Sequence, residues 1–347
     1  MSQKSPKERV TSGIVGYRAF LIISVLLLLA ASVVNILAGA VAISPREMLQ
    51  LIIPGGILED GRRTILLQVR FPRSILAGLV GSSLAIAGAA FQGLFRNPLA
   101  GPYVLGVSSG ASFGAVLAMV LGLHAGALGF GTVPVMAFAG ALLSMFFVYN
   151  LARRNGGIDV TTMLLGGIAI SAIFSALINL CLTFANERVI GSAVFWMMGG
   201  LSGANWRRIY FVSFSFAVGM GTMWVLTNAL NAFLLGEEDA YNLGINIDTL
   251  KKIVLVGASL LTAAAVAASG AIGFVGLITP HIVRIFVGPN HRRLIPGVAL
   301  VGASFLMLAD AAARTLLAPA ELQVGIITAL LGGPFFLYIL KKHRKTE

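Results

Sequence analysis

The sequence predicts an all-α, polytopic membrane protein with about ten transmembrane helices. Three observations lead there. Of 347 residues, 57% are apolar and 11% charged, against roughly 25% charged in ordinary soluble domains. The apolar residues fall into long uncharged runs, and a helix needs about 20 residues to cross a bilayer. Both chain ends are basic, with Lys4, Lys7 and Arg9 at one and Lys341, Lys342, Arg344 and Lys345 at the other. Lys and Arg gather on the cytoplasmic side, so both termini are expected inside an inner or plasma membrane, which requires an even number of spans. Residues 1–18 and 341–347 then form cytoplasmic tails around a single membrane domain, residues 19–340.

A charge at mid-bilayer costs several kcal/mol, so uncharged stretches mark the crossings. Ala19 to Pro45 is the first. It closes on Ala40-Val41-Ala42, which looks like a cleavage site, but its apolar core exceeds the roughly 7–15 residues of a signal peptide, and it is read as a retained span. Ser74 to Phe95 is the second. Asn97 to Ala152 needs two crossings folded back near Gly122–Pro134. Val160 to Asn186 is the fifth and Ile209 to Gly236 the sixth. Ile253 to Gly288 is either one long span or two short ones turning near Ser269-Gly270. The even count selects two, and Leu294 to Ala309 and Leu322 to Leu340 complete ten. Most of the 25 Lys and Arg then lie inside. The 41 glycines suit close helix packing in lipid, as at Gly110 and Gly114, or Gly81, Ala85 and Ala89.

The formal net charge of +12 is spread over segment ends and forms no aromatic-interleaved patch, so nucleic acid is not an expected partner; lipid is. One cysteine, Cys181, supports neither a disulfide framework nor a thiolate cluster. No G-x-x-x-x-G-K-[ST] occurs, so the chain is not expected to hydrolyse ATP. The histidines lack metal-ligand spacing. No catalytic set, metal site or cofactor is expected. Asp310 and Arg314, four apart, share a helix face; they either satisfy each other or act as the relay of an ion-coupled secondary transporter. A charge-poor path without a motor points to a permease driven by a partner.

Three segments are more specific. Gln92 to Pro102, followed by Tyr103 to Ala111, contains Pro98 and Pro102, which shape a cytoplasmic turn. In 236–250, Glu237, Glu238 and Asp239 suit the positive end of a short helix, Ala240 and Leu243 offer a small apolar face, and Gly244 can adopt the left-handed stop. Acidic residues on a side that favours basic ones invite a partner. From Gly273 to Arg284 and on to Pro296, Pro280 should kink a short span, while Arg284, His291, Arg292 and Arg293 mark the inner surface.

Together these segments resemble the permease subunits of type II ATP-binding-cassette importers for iron chelates, haem and cobalamin. The matching strings are Arg70-Phe-Pro-Arg73, Asn97-Pro-Leu-Ala100, Leu105 to Ala111, Trp196 to Gly200, Leu235 to Glu238 with Leu243-Gly244, Gly273 to Leu277 with Pro280-His281, His291-Arg292, Leu308-Ala-Asp310 with Arg314, and Glu321 to Gly325. They cover roughly residues 18–341. The resemblance implies a permease homodimer, two cytoplasmic ATPase subunits and an extracytoplasmic binding protein. It implies ATPase coupling through Gly236, Glu237, Glu238, Ala240, Leu243 and Gly244. Arg70, Arg73 and Arg314 would dock the binding protein, and Asn97, Leu99, Val160 and Thr161 would form a cytoplasmic gate, although Gly156 to Asp159 departs from the family pattern. A charge-poor path suits a bulky preformed chelate. An iron–siderophore or haem is the first expectation, cobalamin the second.

Overall fold

The structure is a computed structural model that describes residues 6–39, 41, 43–52, 59–123, 131–154 and 157–343. Lys4, Ala40, Ala42, most of the Gly122–Pro134 turn, Gly156, Arg344 and Lys345 lie outside the described residues. In chain order the helices are α1 (Pro6–Leu37), α2 (Pro45–Ile52), α3 (Asp60–Thr64), α4 (Phe71–Leu94), α5 (Val107–Val120), α6 (Thr132–Ala152), α7 (Val160–Thr183) and α8 (Glu187–Met197). There follow α9 (Trp206–Val225), α10 (Thr227–Phe233), α11 (Glu237–Asn242), α12 (Ile247–Ser269), α13 (Val275–Val287), α14 (His291–Thr315) and α15 (Val324–His343). A π-helical turn, Ile65–Arg70, joins α3 to α4, and β1 (Arg153–Arg154) pairs antiparallel with β2 (Gly157–Ile158) ahead of α7.

Among the described residues, six helical stretches are long and apolar enough to cross a membrane: α1 from Gly16, α3 through α4, α6, α7, α12 and α14. A seventh is the pair α9 and α10, bent by 53°. The shorter apolar helices α5, α13 and α15 stand where the sequence places the third, eighth and tenth spans. The ambiguous stretch is two helices. Gly270 takes φ 69° directly after α12, a left-handed geometry that costs glycine little and ends the helix, and α13 starts at Val275. Asx side chains cap the starts of α7, α8, α9, α12 and α14, satisfying amide groups that a helix leaves open. Among the elements not expected are α2, which follows the first span, and α8, which fills the stretch between the fifth and sixth.

α4 runs through the middle, packed by α14, α12, α13 and α9, and nearly all of its side chains from Leu76 to Leu94 are buried. Small residues make that enclosure possible. A Cβ on Gly81 would strike the carbonyl of Gly302 in α14, and one on Gly88 that of Gly276 in α13. The Gly110 and Gly114 spacing does the same work between α5 and α6, where they meet Gly140 and Met136. Around this centre, α1 and α7 turn apolar side chains outward; Ile23 and Leu165 are 64% and 63% exposed. Such faces are suited to lipid. The end of the bundle at which α1 begins is called proximal below, the other distal.

Candidate functional site

At the proximal end the chain leaves α10, turns at Gly236 (φ 142°) and forms α11, with Glu237, Glu238 and Asp239 in its first turn. The helix stops as the sequence predicts. Gly244 takes φ 81°, and the Ile245 amide donates to the Ala240 carbonyl at 3.1 Å, the six-to-one bond of a Schellman stop. The faces differ from expectation. Ala240 is fully buried, whereas Leu243 is 65% and Tyr241 72% exposed, so Ala240 and Leu243 do not share one apolar face. Leu243 closes the helix as its C-cap. Glu238 and Asp239 are exposed as well. A recess of about 610 Å³ lies beside this surface, lined by Tyr241, Asn242, Ile245 and Asp248 among others.

Glu237 points the other way. Its carboxylate lies 3.0 Å from Lys251 Nζ, at the start of α12, and 3.6 Å from Arg96 Nη2. Lys251 is buried, and its ammonium also donates to the Ile158 carbonyl at 3.1 Å. Arg96 has a left-handed backbone (φ 48°) and sets its guanidinium 5.2 Å from the centre of the Phe233 ring, at the end of α10, a cation–π contact.

The expected gate residues sit directly beside these groups. Asn97 follows Arg96; its amide donates to the Gln92 carbonyl at 3.1 Å, and its side-chain oxygen accepts from the Leu99 amide at 2.9 Å, closing an Asx turn. Val160 and Thr161 open α7, two and three residues after Ile158. The cap there is Asp159, which accepts from the Thr161 and Thr162 amides at 3.1 and 3.3 Å. Hydrogen bonds from Thr162 and then Thr161 hold its carboxyl below the usual carboxylate range. Asn97 and Thr161 are exposed, while Leu99 and Val160 are half-buried. His291, expected at the inner surface, is buried instead; its amide donates to Asn231 Oδ1 at 2.7 Å, and its Nδ1 lies 3.1 Å from the same oxygen.

At the distal end the three arginines expected to meet a binding protein are enclosed: Arg70, Arg73 and Arg314 are 5%, 6% and 3% exposed. Asp310, fully buried, is the hub for two of them. It faces Arg73 Nη2 at 2.9 Å and Arg314 Nη2 at 3.0 Å, and accepts from Asn35 Nδ2 at 3.0 Å. Arg314 also donates to the carbonyls of Ala38 and Asn35 at 2.8 and 2.6 Å. Arg73 reaches Glu321 at 2.8 Å, and Arg70 donates to the Val41 carbonyl at 3.1 Å. Arg70, Arg73 and Arg314, to which the resemblance gives binding-protein docking, are thus engaged within the chain itself. A guanidinium among packed helix ends keeps its charge only if carboxylates and carbonyls replace water, and those partners lie within the chain. The Asp310–Arg314 pairing read from sequence is present. The side chain of Glu321, 42% exposed, is the part of the network that meets the surface.

Lys251, Arg96, Ile158 and Asn35 escaped the sequence reading. Glu237 and Lys251 lie fourteen residues apart on different helices, a separation with no local signature. Among the described residues, no three His, Cys, Asp or Glu side chains gather as a metal site.

A small-residue helical bundle with a short acidic helix and two capped turns at one end is the architecture of a multi-pass membrane protein. The chain belongs to the FecCD transport family, which it matches over residues 26–342. It is thereby an ATP-binding-cassette importer permease of the inner membrane, and not an enzyme. It is 46% identical to the cobalamin import system permease protein BtuC of Halobacterium salinarum, over 79% of this chain and 72% of that one. It is 40% identical to the hemin transport system permease protein HmuU of Yersinia pestis, over 83% and 86% of the two chains. A solved metal-chelate type ABC transporter in an inward-facing conformation superimposes with a TM-score of 0.83 at 32% identity, covering 94% of this chain and 99% of that one.

Proposed function

We propose that the protein carries a bulky metal chelate, in first place an iron–siderophore or haem, across the membrane between two copies of itself. The family match over residues 26–342 carries this reading. Both termini and α11 lie in the cytoplasm. Two separate ATPase subunits dock there on the exposed face formed by Glu238, Asp239, Tyr241 and Leu243, with the adjoining recess. Their closure on ATP shifts the 95–101 turn and the start of α7, which hold the gate residues Asn97, Leu99, Val160 and Thr161. An extracytoplasmic binding protein delivers the chelate at the distal end, where Glu321 is the accessible member of the charge network.

The 46% identity to a cobalamin import permease favours cobalamin as a second reading. An ion-coupled mechanism fits the geometry less well, because the Asp310 carboxylate is already engaged by two guanidinium groups and an amide of the same chain. The deciding experiment reconstitutes permease, ATPase and binding protein in vesicles without any ion gradient and offers labelled haem, ferric siderophore and cyanocobalamin separately. ATP-dependent uptake of an iron chelate is expected. Uptake of cyanocobalamin alone would replace the first reading by the second, and uptake that requires a gradient would sink both.

A further inference from the structure

We propose that Lys251 is a transmission joint, holding one end of the gate to α11 through Glu237 while the same carboxylate holds the other end through Arg96. The inference rests on the coupling reading of α11 and adds the residues that would carry its movement inward.

The geometry is specific. Glu237 is the acidic residue of α11 that turns inward, and its carboxylate spans two cations on separate segments. On one side Lys251 Nζ, at 3.0 Å, continues to the Ile158 carbonyl at 3.1 Å. Ile158 closes the short hairpin from which Asp159, Val160 and Thr161 begin α7. On the other side Arg96 Nη2, at 3.6 Å, belongs to the turn that carries Asn97 and Leu99. Arg96 also rests on Phe233, so its position follows α10 as well. A displacement of α11 therefore pulls on both gate-bearing segments at once.

Burial makes the joint directional. The Lys251 side chain is 7% exposed and that of Glu237 42%. A buried ammonium needs its carboxylate and its carbonyl, so Lys251 follows Glu237 when α11 shifts. Arg96, 43% exposed, can exchange its longer contact for water. The α7 side is thus tied firmly and the 95–101 side loosely. Lys251 is a positioning residue, since its bonds are to protein groups only.

The test uses the full complex with ATPase and binding protein, in vesicles. In Lys251→Met the stem stays packed and the half-exposed Glu237 turns to water. The ATPase should co-purify at the parental level and hydrolyse ATP, while substrate carried per ATP falls by about tenfold or more, the size of an ordinary coupling free energy. Spin labels on Leu99 and Thr161 should change separation on ATP binding in the parent and not in the variant. Normal transport per ATP in Lys251→Met would overturn the proposal. If that variant does not fold, Glu237→Ala decides: it removes the acceptor that Lys251 and Arg96 share, and unchanged coupling there overturns the joint equally. Failure of the underlying reading shows differently, as an ATPase that stays bound when Glu238 and Asp239 are reversed.

Discussion

Asp310 is one carboxylate serving two guanidinium groups and a carboxamide while fully enclosed. Removing a single member of a buried charge set strands the others, at about 3–5 kcal/mol. Asp310→Asn is therefore expected to lower stability by that order, read as a large fall in the thermal midpoint in detergent. Glu321→Gln removes a half-exposed partner of Arg73 and should cost about 1 kcal/mol or less in the same measurement. Equal effects would contradict the hub assignment. Part of this was legible beforehand, because residues four apart on a helix meet whatever else the fold does. The contributions of Arg73 and Asn35 were not, since they arrive from α4 and α1.

At the scale of the element, α11 shows how far local rules reach. Three acids at its start and a glycine after its end predict a short helix with its boundaries, because caps and dipole act within one turn. They do not predict which acid faces inward; the neighbours α12 and the 95–101 turn decide that. Reversing Glu238 and Asp239 to lysine is expected to reduce ATPase co-purification while leaving stability within about 0.5 kcal/mol of the parent, as exposed substitutions do. Gly244→Val places a β-branched residue at φ 81° and should cost about 1–2 kcal/mol, distorting the stop and weakening ATPase binding. At the start of α7, the Asp159 cap has a folded pKa below its unfolded value. Its stabilisation is present above the unfolded carboxylate pKa and is lost as pH falls through the lowered folded one. Asp159→Asn keeps a capping oxygen and should remove that pH dependence, measured by acid unfolding.

For the whole molecule, the central place of α4 rests on glycines that meet backbone carbonyls of α14 and α13. Gly88→Leu is expected to abolish folding or surface expression, since a side chain would have to displace the main chain of α13, whereas a leucine at the open Gly221 position should be tolerated. Comparing yields of the two variants checks this. Uptake by the assembled complex should persist when the proton gradient is collapsed and cease when ATP is withheld.

By itself the sequence determined that the chain crosses a membrane many times, that long apolar helices occupy most of its uncharged runs, and that a short acidic helix interrupts the series. Those properties depend on transfer of apolar runs out of water and on bonding within a few residues, both readable along one strand of letters. Only the tertiary structure decided which charges are spent inside the protein and which remain on its surface. Arg73 looks like Arg188 in the sequence; its fate depends on Asp310, more than two hundred residues away, and contacts between distant segments leave no mark on local composition.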